Sequence, residues 1–388
     1  MKKILFVTHT ISNGGGAEKV LNTLIDELKE EYLIDVLEWL EDTACPFWER
    51  DKNVRHIGSI AYTDRKALSL GKSTLINRLK HKFWVITNTF FPGLMHQLFI
   101  KDKYDYEISF NYLYTSAIVN HSSNRNSKKI NWIHSSIDDL YEISHKYNIR
   151  YILYRFLQHR AFSKSDAIVA ISKRTHNSII HFQPDVKDRL FDIYNGYNFD
   201  DIIKQSQAHS VDRSNIFRLI SLGRLSNIKN VILQIEAIEI LRKRNIEIEL
   251  LVLGEGEQKE IIEGYASRNH RIKILGFRSD PYPYIASSDG LIITSFSEGF
   301  PTIAVEAMAL GKPVLSTPVA GTEELINSET GVVVDWNAQS VADGILELMN
   351  KKFDSRKIQD HVKGYTKECW AENVKQLLQN LENEQAKS

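Results

Sequence analysis

One rhythm runs through the chain twice. Short apolar segments closed by Gly, Asn or Ser recur at KILFVTH (3–9), LIDVLEWL (33–40), YEISF (106–110), INWIHSS (130–136), AIVAIS (167–172) and LFDIYNG (190–196), with helix-period patterns between many of them. A polar stretch, YNFDDIIKQSQAHSVDRSN (197–215), interrupts the pattern. It then restarts at IFRLISLGR, IEIELLVLGEG, RIKILG, GLIITSF, KPVLSTP and TGVVVD. Near-continuous apolar strands alternating with helices are the pattern of crossover units in a parallel sheet covered on both faces. The chain therefore reads as α/β, with two doubly wound, Rossmann-like domains. The linker is expected within Asp200 to Asn215, giving domains at 1–200 and 201–370. In the first crossover, Ala17, Val20, Leu21, Leu24, Ile25 and Leu28 share one helical face and Glu27, Lys29 and Glu30 the other. Ligands of such folds sit beyond the carboxyl ends of the strands, so two such domains facing each other would enclose a cleft.

At 388 residues the chain is long enough for two cores. Its 49 basic and 49 acidic residues cancel, which offers no bulk attraction to nucleic acid. Two cysteines, Cys45 and Cys369, are too few for a disulfide framework or a cysteine-rich zinc site, in keeping with a reducing cytoplasm. The first apolar run breaks at Thr8 and His9, short of a signal-peptide core. No run reaches the length of about eighteen apolar residues that a spanning helix requires.

Four stretches carry candidate chemistry. In HTISNGGGAEKV, Gly14, Gly15 and Gly16 lie between the first strand and the first helix. Exposed amides and the helix terminus there suit a phosphate or a sugar hydroxyl, or simply a tight turn. The spacing is not the dinucleotide fingerprint, which disfavours a nicotinamide enzyme. KALSLGKST resembles the end of a P-loop, but Lys66 occupies the position of its first glycine. SLGRLSNIKN places Gly223, Arg224 and Lys229 at a strand end, where two cations can neutralise a diphosphate and stabilise charge growing on a leaving phosphate. Gly254 and Gly256 of VLGEGEQ are expected to bring backbone close to the same ligand.

SEGFPTIAVEAMALG holds two glutamates with seven residues between them. Glu298 is expected in the loop beside the amides of Gly299, Phe300 and the helix start, with Pro301 at the first helical position and Thr302 after it. Glu306 falls about one and a half turns into the helix, pointing into the cleft from its flank. Carboxylates suit vicinal hydroxyls, so Glu298 is assigned to a sugar and Glu306 to a ribose. An acid and base pair acting on a glycoside is the alternative division, and nearby phosphate binders weigh against it. INWIHSSIDD puts His134 at a strand end, to bond a donor hydroxyl or align an acceptor, with Asp138 or Asp139 orienting it; a satisfied structural histidine is the competing reading. His9 is possible cleft lining. No spacing of His, Asp and Glu forms a metal-ligand pattern, so neither metal nor cofactor is expected.

In their order, NGGGAEKV, NWIHSS, IVAISKRT, IYNG, SLGRLSNIKN, LVLGEGE, the stretch from ILGF to LST and GTEELI resemble the retaining GT-B glycosyltransferases of family four over nearly the whole chain. The resemblance implies a nucleotide-sugar donor, with UDP the expected carrier, held by the second domain, and a saccharide or lipid-linked saccharide acceptor met by the first. It assigns Arg224 and Lys229 to the diphosphate, Glu306 to the ribose, and Glu298 with the Gly299 to Pro301 backbone to the donor sugar. His134 falls near the transferred sugar, and Gly15 and Gly16 complete the closed cleft. It also returns the last helix, 371–388, to the first domain. YNGYNFD departs from the family ending, since Tyr197, Asn198 and Phe199 lengthen the turn before Asp200. The implied role is transfer of a hexose or N-acetylhexosamine in cell-surface polysaccharide or lipopolysaccharide assembly. A GT-B epimerase and a non-catalytic nucleotide-sugar binder are the rivals. Between Arg65 and Lys103, Lys66, Lys72, Arg78, Lys80 and Lys82 mix with Trp84, Phe90 and Phe91, a surface suited to anionic lipid at the inner membrane face or to ordinary helix packing.

Overall fold

The computed structural model describes residues 1–11, 16–42, 53–63, 75–111, 113–138, 149–213 and 215–387, and its described strands form two sheets in which every pairing is parallel. The first contains β1 (Lys2–Thr8), β2 (Tyr32–Asp42), β3 (Val54–Thr63), β4 (Tyr106–Ser109), β5 (Lys128–Ile133), β6 (Ala167–Ala170) and β7 (Leu190–Asp192), in the order β3-β2-β1-β4-β5-β6-β7. The second contains β8 (Arg218–Leu222), β9 (Glu249–Leu253), β10 (Ile272–Gly276), β11 (Gly290–Ile293), β12 (Val314–Ser316) and β13 (Gly331–Val333), in the order β10-β9-β8-β11-β12-β13. Both are Rossmann-like doubly wound sheets. In each, the chain winds outward one way from its first strand and then restarts on the other side. The switch points therefore lie between β1 and β4 and between β8 and β11, where such folds bind ligands.

Burial on both faces explains the unbroken apolar runs. Ile4, Leu5, Phe6 and Val7 of β1 are all fully buried. The Gly16–Leu28 helix buries Val20, Leu21, Leu24, Ile25 and Leu28, each worth about 1.5–3 kcal/mol of apolar transfer. In the second sheet Leu219, Leu250, Ile292 and Leu315 anchor one core with Ile238, Leu241, Ile345 and Leu348 from the flanking helices.

The chain divides into Met1–Gly196 with Lys367–Ser388, and Tyr197–Thr366. The stretch read as a linker is partly structured: Asn198 caps a helix, Phe199–Ser206, by accepting from the Asp201 amide at 3.1 Å. The Lys367–Lys387 helix packs on the first sheet's unit. Trp370 meets Trp132 edge-on at 5.9 Å, and Lys367 pairs with Glu27 at 2.6 Å. The apolar-run pattern missed β3. As an edge strand β3 carries Arg55 and His56 among its apolar residues, and a register shift beside Gly58, at φ +128°, breaks its alternation.

Candidate active site

At the switch point of the second sheet, the loops after β8 and β11 hold the charged cluster. Ser226 precedes a short 3-10 turn, Asn227–Lys229, and Asn230 then takes a left-handed φ of +50° to start the Val231–Lys243 helix. Thr294, following β11, donates to the Asn230 carbonyl at 2.9 Å, and the Phe296 amide donates to the Ile228 carbonyl at 2.8 Å. Lys229 is thereby fixed against the β11 loop, and its Nζ donates to Glu298 Oε1 at 2.5 Å. Ser295 Oγ donates to the same oxygen at 2.6 Å. Arg224 is exposed and lines the same cavity as Gly223, Lys229, Ser295, Glu298 and Ile303. Glu298 is thus the counter-ion of Lys229.

Two glycines after β9 also let backbone pack on backbone. A Cβ on Gly254, at φ +148°, would stand 1.8 Å from the Gly223 carbonyl oxygen, and one on Gly256 would stand 2.3 Å from that of Leu225. Backbone packs directly on backbone there, so these glycines shape the Gly223–Leu225 loop from behind.

The helix after SEGFP runs Thr302–Ala309, one residue later than expected, so Pro301 is its N-cap and not its first helical residue. No side chain caps this helix start, which leaves its leading amides available to an anion. Phe300 and Pro301 are buried, Gly299 and Thr302 half-buried. A Cβ on Gly321 would stand 2.6 Å from Pro301 Cδ, so the close approach of the GTEELI turn sets this helix start. Gly311, at φ +70°, follows the helix end.

Glu306 is buried at 6% exposure, unlike a surface carboxylate, and accepts from the Tyr282 hydroxyl at 3.1 Å. Burial pushes the Tyr197 and Tyr282 phenols up, and the nearby Glu306 charge adds to it, so Tyr282 stays a donor. Glu306 does not line the cavity that holds Lys229 and Glu298. The structure brings Gly223, Arg224, Lys229 and Glu298 together around one cavity, whose lining does not include Glu306, bonded to Tyr282.

In the Met1–Gly196 unit His134 follows β5. Its residue as a whole is half-exposed, yet its Nε2 is fully buried and has no hydrogen-bond partner. The ring packs on Phe110 at 4.4 Å, and burial pushes its pKa down to about 3, so it is neutral near pH 7. Asp138 does not orient it, because that carboxylate pairs with His181 at 3.2 Å. At the switch point of this sheet, Asn111 Oδ1 accepts from the His9 amide at 2.7 Å and from Thr8 Oγ1 at 3.1 Å, which ties β1 to β4. Gly16 is the exposed first residue of its helix. Gly14, Gly15, Asp139 and the KALSLGKST segment lie outside the described residues. Among the described residues no group of three His, Cys, Asp or Glu is arranged to hold a metal.

Sequence reading missed Ser295, Tyr282 and Trp336, whose Nε1 donates to the Ser295 carbonyl at 2.9 Å. Only Ser295 left a signal, a hydroxyl three residues before Glu298. Tyr282 and Trp336 reach the site from other segments.

Residues 216–351 match the family model described as glycosyl transferases group 1. The Staphylococcus aureus capsular polysaccharide biosynthesis glycosyltransferase CapM is 25% identical over 215 residues, 52% of this chain and 56% of that protein. A Campylobacter jejuni N-acetylgalactosaminyltransferase named for a diphospho-undecaprenol-linked saccharide is 26% identical over 210 residues, 53% of this chain and 56% of that one. The chain spans about half the length of the curated relatives it matches, between 52% and 58% for three of them. Anabaena HepE, solved with UDP and glucose, superposes with a TM-score of 0.68 at 20% identity, covering 98% of this chain and 100% of that one. The two Rossmann-like units thus have the GT-B glycosyltransferase fold, and the group 1 pattern covers the stretch that holds Arg224, Lys229, Glu298 and Glu306.

Proposed function

We propose that the protein is a retaining glycosyltransferase that moves a hexose or N-acetylhexosamine from a UDP-sugar to a saccharide or lipid-linked saccharide. The observation that carries this reading is the Lys229, Glu298 and Ser295 cluster, with Arg224 beside it, at the β8 and β11 switch point. Two cations and uncapped helix amides favour a diphosphate there. A carboxylate next to them favours sugar hydroxyls.

In the proposed reaction the bond from the anomeric carbon to the phosphate oxygen breaks as the acceptor oxygen bonds the same face of that carbon. A departing phosphate oxygen takes the acceptor proton. Lys229 and Arg224 act by stabilising negative charge that grows on the leaving diphosphate, which lowers the barrier rather than merely tightening binding. Glu298 orients the sugar, and Glu306, held by Tyr282, receives the ribose. We assign the acceptor to the Met1–Gly196 unit. The position of neutral, half-exposed His134 directly after β5 supports this, since ligands of parallel sheets sit beyond the carboxyl ends of strands.

A lipid-linked acceptor and peripheral contact with anionic membrane, at the cytoplasmic face, extend the proposal. Leu79, Phe83, Ile86 and Phe90 recur at helical spacing on the Leu75–Phe90 helix and are 55–61% exposed, beside exposed Lys80. The diphospho-undecaprenol in the name of the Campylobacter relative supports the same class of acceptor.

The experiment is UDP release from a panel of UDP-sugars with and without oligosaccharide and lipid-linked acceptors. Acceptor-dependent release, lost in folded Arg224→Ala, is expected. Interconversion of the sugar without acceptor would instead indicate an epimerase, and unchanged turnover in the variant would remove Arg224 from the mechanism.

A further inference from the structure

The first unit has a second, strongly basic cavity at the opposite end of β5 from His134. Its floor is formed where Lys128 and Lys129 open β5 and Asp166 precedes β6, and Arg125 and Lys164 stand exposed at its rim. Four cations face one carboxylate. That carboxylate is already engaged, because Asp166 Oδ2 accepts from the Lys129 amide at 2.8 Å and Oδ1 lies 3.7 Å from Lys128 Nζ. Arg125 and Lys164 have no carboxylate partner among the described residues.

Two further observations favour an anion as ligand. Lys129 Nζ donates to the carbonyls of Asn124 at 2.7 Å and Ser127 at 2.5 Å, which leaves one of its three donors free. Ser127, only 2% exposed, lines the cavity, and its buried hydroxyl has no hydrogen-bond partner. A buried hydroxyl left unpaired is destabilising unless a ligand satisfies it. Burial pushes the Lys129 ammonium down against the opposing pull of the Glu107 and Asp166 carboxylates, and pushes the Lys164 ammonium down with the neighbouring Arg160 charge adding to it. The cavity of about 310 Å³ is several times larger than bare phosphate needs, since about 30 Å³ holds one water.

We propose that this cavity binds a soluble phosphate monoester, with Arg125, Lys164 and the free donor of Lys129 on the phosphoryl oxygens and the Ser127 hydroxyl completing the shell. A guanidinium fork with ammoniums and a hydroxyl matches a tetrahedral dianion, and the remaining volume takes its organic group. This site is separate from the UDP-sugar reading and does not depend on it.

The test is calorimetric titration with glycerol 3-phosphate at matched ionic strength, in a Lys229→Ala background that weakens phosphate binding at the donor site. Binding should persist there and fall by about tenfold or more on adding Arg125→Ala and Lys164→Ala, both surface changes that leave the core intact. Equal affinity with and without those two changes would overturn the proposal, as would no binding above that of glycerol and chloride. Sedimentation with phosphatidate vesicles that depends on Arg125 and Lys164, without glycerol 3-phosphate binding, would assign the cluster to a lipid headgroup and overturn the soluble ligand.

Discussion

On the proposed reading, Lys229 and Glu298 make opposite predictions for the two halves of a UDP-sugar. Their contact, at 2.5 Å with side chains 31% and 14% exposed, is a partly screened ion pair, worth about 0.5–1 kcal/mol. A charge-assisted bond from Lys229 to a phosphate oxygen contributes about 1.5–3 kcal/mol. Diphosphate must first displace Glu298, so the net contribution of Lys229 is about 1–2 kcal/mol, and Lys229→Ala should weaken UDP binding by about five- to thirtyfold. Glu298→Gln removes the competing charge while keeping the shape. It should tighten UDP alone by about two- to fivefold. The same change removes a charged acceptor from the sugar hydroxyls, which should lower kcat/KM for the UDP-sugar by about tenfold or more. Titration calorimetry with UDP and initial rates with the UDP-sugar, both near 0.15 M salt, where exposed charges are screened beyond about 8 Å, measure the two effects. If Glu298→Gln weakens UDP and UDP-sugar by one common factor, Glu298 is not the internal competitor for Lys229, and the exchange of partners is wrong.

Three further outcomes follow from single observations. His134 titrates near 3 in the fold and at 6.5 when exposed, so the unfolded chain binds the extra proton between those values. Stability then falls by about 1.4 kcal/mol per pH unit as pH drops through that window. Between about pH 6.5 and pH 5, urea unfolding should show His134→Asn losing about 2 kcal/mol less than the wild type, and parallel curves would refute the buried neutral ring. Gly254→Ala should destabilise by about 3 kcal/mol or more, through its 1.8 Å clash and positive φ. Gly264→Ala, on an exposed helix face with open space around it, should instead stabilise by about 0.5–1 kcal/mol; thermal melts that rank the two alike would contradict the loop packing. Phe83→Ser with Phe90→Ser should cut sedimentation with anionic vesicles by about tenfold or more, whereas wild type that ignores such vesicles at low and moderate salt ends the membrane reading.

The fold was legible because parallel strands buried on both faces leave unbroken apolar runs, and the helices between them repeat at 3.6 residues. β3 escaped because Arg55, His56 and Gly58 interrupt its apolar run at the edge of the sheet. The Phe199–Ser206 helix escaped because polar residues dominate it, although its Asn198 cap was in plain view. Of the site, strand-end position alone located Gly223, Arg224, Lys229 and Glu298. For Gly254 the structure adds a reason that strand-end position did not contain: its missing side chain admits the Gly223 carbonyl.

What the local sequence does not contain is direction. Glu298 and Glu306 sit on one short segment, yet each carboxylate is aimed by a residue far along the chain, Lys229 for the first and Tyr282 for the second. Spacing fixes that a loop residue and a helix residue cannot coincide; only packing decides which surface each one faces. The same holds for Pro301. Placed as N-cap under Gly321 rather than inside the helix, it buries its own ring with that of Phe300 and leaves Thr302 as the first helical residue. An anion at this terminus must therefore meet the amides of the first helical turn, beside Ile303 in the Lys229 cavity, and the Phe300 side chain contributes by holding that turn in place.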